Sequence, residues 1–303
     1  MYEKGLSTLV GKRLSAITKP LAAIWHGQFA KLVRKRRPVV RGVPCRDAAI
    51  NLTYACDLAC IGCNRGCFIK PPIIPPMTTD RFGTFLEEIC QNNIKPKRFR
   101  LIGGEPTLHP KFLEFARMAV EYSKRATSAV DVCVFSNQYS ERSREQLREL
   151  RQQYPEVEIR ESTSKREGSV DFNRSSYLFV SPQEIGITPC PHPCEAMEGA
   201  GICGFGVDQL GYTLCPGAGM KDSLLRLNSR ATHLKQLLDK DFVTWQASVL
   251  CRQCGERMGY HHMPWVREQL LTLQRCNGTP MTKNYHDGLA ALTAAGHRKI
   301  QAA

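Results

Sequence analysis

No apolar run in this chain approaches the roughly 18 residues that a helix needs to cross a bilayer. A secretory leader is missing too, because Lys12, Arg13 and Lys19 interrupt every early apolar run. Both absences argue against a spanning or exported protein and set the expected location as cytoplasmic, where thiols stay reduced. Acidic residues are scarce: 28 Asp and Glu stand against 42 Lys and Arg, for a net charge of +14. Nothing else in the composition is unusual for a soluble globular protein except cysteine. Hydrophobic residues make up 42% and charged residues 23%, and 303 residues suffice for one large or two modest domains.

The positive charge is concentrated at one end. Residues 1–45 hold ten basic side chains (Lys4, Lys12, Arg13, Lys19, Lys31, Arg34, Lys35, Arg36, Arg37, Arg41) against Glu3. That segment is +9, so of the total +14 only +5 is left for the remainder. Its apolar residues Leu6, Val10, Leu14, Ile17, Leu21, Ile24 and Leu32 recur mostly at intervals of three or four, which predicts an amphipathic helix kinked or divided at Pro20. Such an arm can dock on its own domain, lie on an anionic membrane surface, or track a phosphate backbone. It leaves open an anionic substrate or surface, and a peripheral membrane position as the alternative to a freely cytoplasmic one.

Cysteine is abundant, with fourteen residues, and short paired spacings in a reducing compartment argue metal or redox centres rather than disulfides. Cys56, Cys60 and Cys63 have the spacing C-x3-C-x2-C just past a strand-like run at 48–54. Three thiolates can hold three irons of a cubane cluster whose usual complement is four, leaving one iron open to an amine and a carboxylate. Gly103-Gly104-Glu105-Pro106 follows about one strand-helix-strand unit later. A bland reading exists for each feature: a tight turn for the glycines, and a zinc ribbon for Cys60-x2-Cys63 with Cys251-x2-Cys254. The zinc reading accounts for neither Cys56 nor the Gly-Gly-Glu-Pro turn.

Together these two motifs resemble the signature of the radical S-adenosylmethionine (SAM) enzymes. The resemblance implies a [4Fe-4S] cluster on Cys56, Cys60 and Cys63 whose open iron binds SAM. An electron from an external low-potential donor such as flavodoxin or ferredoxin then cleaves SAM to a 5'-deoxyadenosyl radical that takes a hydrogen atom from substrate. It implies that Gly103, Gly104, Glu105 and Pro106 receive the methionine amino group, and that Ser136 and Asn137 contact SAM. One departure is Gly62, where the family usually carries a large residue near the adenine; Phe68 is the substitute candidate.

The texture of 46–185 predicts strands at 48–54, 97–102, 130–135, 157–160 and 177–180, with helices at 79–92, from Pro110, and at 141–153. Strands alternating with helices specify an α/β fold with a parallel sheet, ligands gathering at the carboxyl ends of the strands. The family fold is a partial (β/α)6 TIM-type barrel, and fading periodicity through 161–176 leaves room for a shortened one. In 186–260 a hairpin turn at 207–212, a helix at 229–238 and the cysteines make a small Cys-rich unit. It resembles the twitch form of the SPASM domain, which holds an auxiliary [4Fe-4S] cluster. On that pattern the ligands are Cys203, Cys215, Cys251 and Cys254, with Cys194 able to replace Cys203. Cys90 and Cys133 read as core thiols. Cys67 reads as structural, or as a hydrogen-atom donor near the cluster. His261 and His262 read as surface, and 261–303 as a helical tail with helices at 263–274 and 287–295 and a link at 277–283.

The expected activity is thus SAM-dependent hydrogen abstraction that oxidises or rearranges a nucleotide, a nucleic-acid base, a sugar nucleotide or another anionic substrate. The competing expectation is a non-catalytic nucleic-acid-binding protein stapled by zinc or iron-sulfur centres.

Overall fold

The computed structural model describes residues 47–161, 178–187, 204–255 and 264–295, with 264–267 by backbone alone. The basic arm, His261, His262, Cys45, Cys190, Cys194 and Cys203 lie outside the described residues.

The first four strands follow the expected rhythm. β1 (Asp47–Thr53), α1 (Thr79–Gln91), β2 (Arg98–Gly103), α2 (Phe112–Arg125), β3 (Asp131–Ser136), α3 (Glu141–Gln153) and β4 (Glu158–Glu161) succeed one another along the chain. Local chemistry sets the boundaries. The Thr78 hydroxyl accepts from the Arg81 N–H to cap α1, and Ser140 caps α3 in the same way through Ser143. The spacing of Phe82, Phe85 and Ile89 turns one face of α1 inward, and Phe112, Phe115, Ala116, Ala119 and Val120 do so for α2. Cys90, expected in the core, is exposed on the far side of α1.

Six strands form one mostly parallel sheet in the order β4-β3-β2-β1-β5-β6, where β5 is Phe205–Asp208 and β6 is Gly211–Thr213. β1 is flanked by parallel neighbours on both sides, with Ile50 opposite Leu101 and Val207, and every one of its residues is buried. Phe82, Phe85, Phe99 and Phe115 are fully buried between sheet and helices. The Phe82–Phe115 and Phe85–Phe99 ring centroids are 5.3 and 5.7 Å apart. Each such side chain contributes about 1.5–3 kcal/mol by burial.

Several expectations give way. The β5-β6 hairpin forms at the predicted turn, but as part of the main sheet rather than in a separate small unit. Phe205 and Val207 are fully buried, and Phe85 packs on both Phe205 and Tyr212. A strand buried in this way needs partners that an isolated hairpin lacks. The strand expected at 177–180 does not form: Leu178 and Phe179 are in a turn, and the Phe179 carbonyl accepts from the Thr282 N–H. Its apolar residues fill the core from a loop.

The helix expected at 229–238 is also replaced. Ala231 exchanges backbone hydrogen bonds with Tyr212, Ser229 is tied to Asp222, and only a 3-10 turn at Leu234–Leu238 remains. Two helices were not foreseen, α4 (Ala218–Leu225) and α5 (Lys240–Leu250), the second capped by Asp239. In the tail, α6 (Pro264–Thr272) and α7 (Lys283–Ala294) flank a two-stranded hairpin, β7 (Arg275–Cys276) and β8 (Thr279–Pro280), where a plain link was expected. Asn277 and Gly278 both take positive φ, 46° and 79°, as a tight hairpin turn requires. Among the described residues no helix is long and apolar enough to cross a membrane.

Candidate functional site

The carboxyl ends of β1, β2 and β3 are adjacent, and three sequence features meet there. The β1-β2 register breaks between Asn51 and Thr53. Beyond the break the Gly104 N–H donates to the Thr53 carbonyl at 2.7 Å and the Glu105 N–H to the Ala55 carbonyl at 2.8 Å. This approach admits no side chain: a Cβ on Gly103 would sit 2.1 Å from the Thr53 oxygen, and one on Gly104 2.1 Å from the Ala55 oxygen. Gly103 also has φ 147°, which favours glycine. The two glycines therefore seat the end of β2 against the residues that lead into Cys56.

Glu105 is fully buried. Its Oε1 accepts from the Ser136 hydroxyl at 2.8 Å and lies 2.7 Å from the Thr107 hydroxyl; its Oε2 accepts from the Asn137 N–H at 2.7 Å. Burial pushes this carboxyl above the ordinary range, while the bonds from Thr107, Asn137 and Ser136 work in the opposite direction. Asn137 carries the link onward. Its Nδ2 donates to Asp57 Oδ1 at 2.8 Å and lies 3.6 Å from Cys56 Sγ. One hydrogen-bonded chain thus joins the Gly-Gly-Glu turn, the Ser136-Asn137 pair and the first cysteine.

The cysteine loop is a succession of turns: Cys63 N–H to the Cys60 carbonyl at 3.2 Å, and Gly66 N–H to the Cys63 carbonyl at 3.0 Å. Gly62, the departure noted in the sequence, has φ 68°, and its N–H donates to the Thr279 hydroxyl at 3.1 Å. The backbone explains the glycine. Phe68, the substitute candidate for an adenine contact, is fully buried and packs edge-on against Phe179 at 5.4 Å. Cys67 is 3% exposed, hydrogen-bonded to the Cys63 side chain, and part of the apolar cluster that includes Tyr54, Phe68, Met220 and Tyr285.

None of Cys56, Cys60, Cys63 and Cys67 is in a disulfide. Burial, followed by Asp57 and Cys63, pushes the Cys56 thiol up to about 12 although the Leu58 backbone bond opposes it. A bound metal centre is the agent that deprotonates such a thiol near neutral pH. Among the described residues no three His, Cys, Asp or Glu side chains converge on a single ion. Two buried polar atoms of opposite character on this loop lack partners, Asp57 Oδ2 and Arg65 Nη1. These leave the loop one acceptor and one donor that no partner among the described residues uses.

The second cysteine set reaches the same apolar cluster through Cys254. Cys215 precedes α4, while Cys251 and Cys254 lie in the 3-10 turn after α5, with the Cys254 N–H on the Cys251 carbonyl at 3.3 Å. Cys254 belongs to the apolar cluster against which Cys56 and Cys63 pack. Cys203 and Cys194, the other proposed ligands, lie outside the described residues.

Sequence reasoning missed the tail's part in the site. Besides Thr279, Asn277 Nδ2 donates to the Phe68 carbonyl, and Gly278 lies so near Ile61 that a Cβ there would stand 2.8 Å from its side chain. The Asn277-Gly278 pair between two short runs was the available signal. Lys221 was also missed; its side chain is 2% exposed beside Cys215 and Cys254.

Two solved structures of the protein BtrN, one in an open conformation and one in complex with AdoMet and 2-DOIA, are similar to this chain. Each is 14% identical with a TM-score of 0.39, and the alignments cover 69% of this chain and 91% and 92% of the BtrN chains. No protein-family model and no curated protein matches the chain.

Proposed function

We propose that this chain is a radical SAM enzyme, in which Cys56, Cys60 and Cys63 hold a [4Fe-4S] cluster with one open iron and SAM binds against the loop. The observation that carries the reading is the hydrogen-bonded chain from Glu105 through Asn137 to Asp57 and Cys56, which ties three sequence motifs to one place. When bound, the cluster supplies the low-potential electron that cleaves SAM and opens hydrogen-atom abstraction from substrate.

The chain's own residues have separate tasks. Gly103 and Gly104 let the end of β2 close on Thr53 and Ala55, which fixes the root of the cysteine loop. Glu105 orients Ser136 and the Asn137 backbone; Asn137 in turn steadies Asp57 and offers its amide to the Cys56 sulfur. Asp57 Oδ2 and Arg65 Nη1 supply an acceptor and a donor suited to the amino and carboxylate groups of SAM. Phe68, Ile73, Ile74 and Phe179 keep water from the inner side of the loop. The second set, with Cys215, Cys251 and Cys254 and a fourth thiol from Cys203, is read as an auxiliary [4Fe-4S] site. An anionic substrate is favoured by the basic arm.

The test is anaerobic incubation of reconstituted protein with SAM and dithionite, following 5'-deoxyadenosine. Wild-type protein is expected to form it, and the variant with Cys56, Cys60 and Cys63 all changed to Ala is expected to form none. Undiminished cleavage by that variant would overturn the assignment. A colourless protein that binds zinc and no iron would favour the metal-stapled nucleic-acid-binding alternative.

A further inference from the structure

The cysteine loop leaves the sheet after β1 and returns to it before α1, and both of its ends are tied to backbone. At the exit the Gly104 and Glu105 N–H groups hold the Thr53 and Ala55 carbonyls. At the return the Met77 N–H donates to the Leu52 carbonyl at 2.9 Å. The Met77 carbonyl in turn bonds His109 Nε2 at 3.0 Å, and His109 stands only four residues beyond Glu105. One short stretch, 104–109, therefore grips the loop at both ends. The ring of His109 is 4% exposed and packs edge-on against Phe115, with centroids 4.9 Å apart. Its Nδ1 lies 3.0 Å from the Lys111 backbone nitrogen. A backbone N–H can only donate, so Nδ1 carries the lone pair and the ring proton is on Nε2, the tautomer that donates to Met77. Burial is the largest influence on this ring and lowers its pKa, Lys111 adds to the effect, and the Met77 bond and Glu114 oppose it. Both nitrogens are engaged, so neither is left to ligate a metal or to carry a proton to substrate.

We propose that His109 is a positioning residue for the cysteine loop, whose Nε2–H closes the return end at Met77 while Gly104 and Glu105 close the exit. On the reading of that loop as the SAM-cluster site, His109 helps to set where Cys56, Cys60 and Cys63 stand without touching them. Holding both ends of a long loop removes freedom that its interior would otherwise keep. The bond to Met77 is thus distinct in its effect from the bond to Lys111, which serves only the start of α2.

Two substitutions separate those bonds. In His109→Gln the amide nitrogen stands at the reach of Nε2 and can still donate to Met77, but the acceptor for Lys111 is lost. In His109→Asn the amide oxygen stands at the reach of Nδ1 and can still accept from Lys111, but the donor to Met77 is lost. The full chain and both variants are compared by hydrogen exchange read by mass spectrometry, with α3 as the internal control. The Asn variant should exchange faster through 54–77 by about two- to tenfold, the effect of one hydrogen bond, with α3 and 111–115 unchanged. The Gln variant should leave 54–77 protected and expose the Lys111 amide. Equal effects of the two variants on the loop overturn the proposal, as does a rise spread evenly over the chain, which would mark a general stabilising role. Should the Asn chain fail to fold, the Gln chain decides: a protected loop supports the assignment and a loosened one overturns it. Long-range proton–nitrogen correlation spectra of the wild-type ring should show the proton on Nε2, and a proton on Nδ1 would also overturn it. A wild-type chain that does not cleave SAM removes the enzyme reading alone and leaves the loop measurements as they are.

Discussion

Glu105 is the residue on which most of the site's hydrogen bonds converge, so Glu105→Gln is an informative single change. The amide puts a donor where the wild-type carboxylate accepts, leaving one of Ser136, Thr107 or Asn137 facing N–H. The expected cost is about 1–3 kcal/mol of stability, read from the urea midpoint. Asn137→Ala should be gentler on the fold and harder on the site, with about 10- to 100-fold weaker retention of iron or activity, because it removes a partner of Asp57 and Cys56. Cys133 makes a pH-dependent prediction. Burial first, and Glu158 second, push its thiol from about 9 up to about 12, and burial raises Tyr54 and Tyr212 in the same direction. A group that holds its proton more tightly folded than unfolded gives its full stabilisation below the unfolded value and loses it as pH climbs toward the folded one. The metal-free chain should accordingly lose stability as pH rises from about 9 toward 12, with a shallower slope in Cys133→Ala, as followed by urea unfolding at a series of pH values.

At the scale of elements, α1 to α3 and β1 to β4 were legible from their own periods, with a capping hydroxyl in addition at α1 and α3. Thr78 with Phe82, Phe85 and Ile89 is enough to draw α1. The convergence of the cysteine loop, the Gly-Gly-Glu turn and Ser136-Asn137 followed from strand parity alone, since all three fall after parallel strands. What stayed hidden depends on long-range contacts. Nothing local in 229–231 reveals that Arg230 is buried by two distant carboxylates, or that Ala231 pairs with Tyr212. The glycines of Gly217-Ala-Gly219 disguised the start of α4. The role of β7 and β8 was also invisible, because its partners Gly62 and Phe68 lie more than two hundred residues away in sequence. Thr279→Val tests that role: it leaves the buried Gly62 N–H without its acceptor, at an expected cost of about 1–3 kcal/mol. Iron bound to the first cysteine set should be lost faster to a chelator in this variant than in wild type.

For the whole molecule, contacts divide the chain into residues 1–41 and 42–303. A chain beginning at residue 42 is expected to keep the iron content of the full chain. If the arm binds a phosphate-bearing surface or polymer, that binding should weaken in the truncated chain and lose most of its salt dependence, as co-sedimentation over a salt series would show. Truncation after residue 273 should be far more damaging. It removes Met281, Tyr285 and Leu292 from the apolar cluster beneath the cysteine loop together with the Thr279 contact, and aggregation on gel filtration is the expected outcome.

The Gly62–Thr279 bond spans 217 residues, and this separation becomes an interval of time during synthesis. At roughly 5–20 residues per second a ribosome releases the cysteine loop about 10–40 s before it releases the threonine that clasps it. Throughout that interval the thiols of Cys56, Cys60 and Cys63 are on a nascent chain with the clasp still unmade, open to whatever delivers iron and sulfide. Once the tail arrives the same loop is held by the Thr279 hydroxyl, and on the proposed reading a cluster would be loaded most readily before the chain is complete.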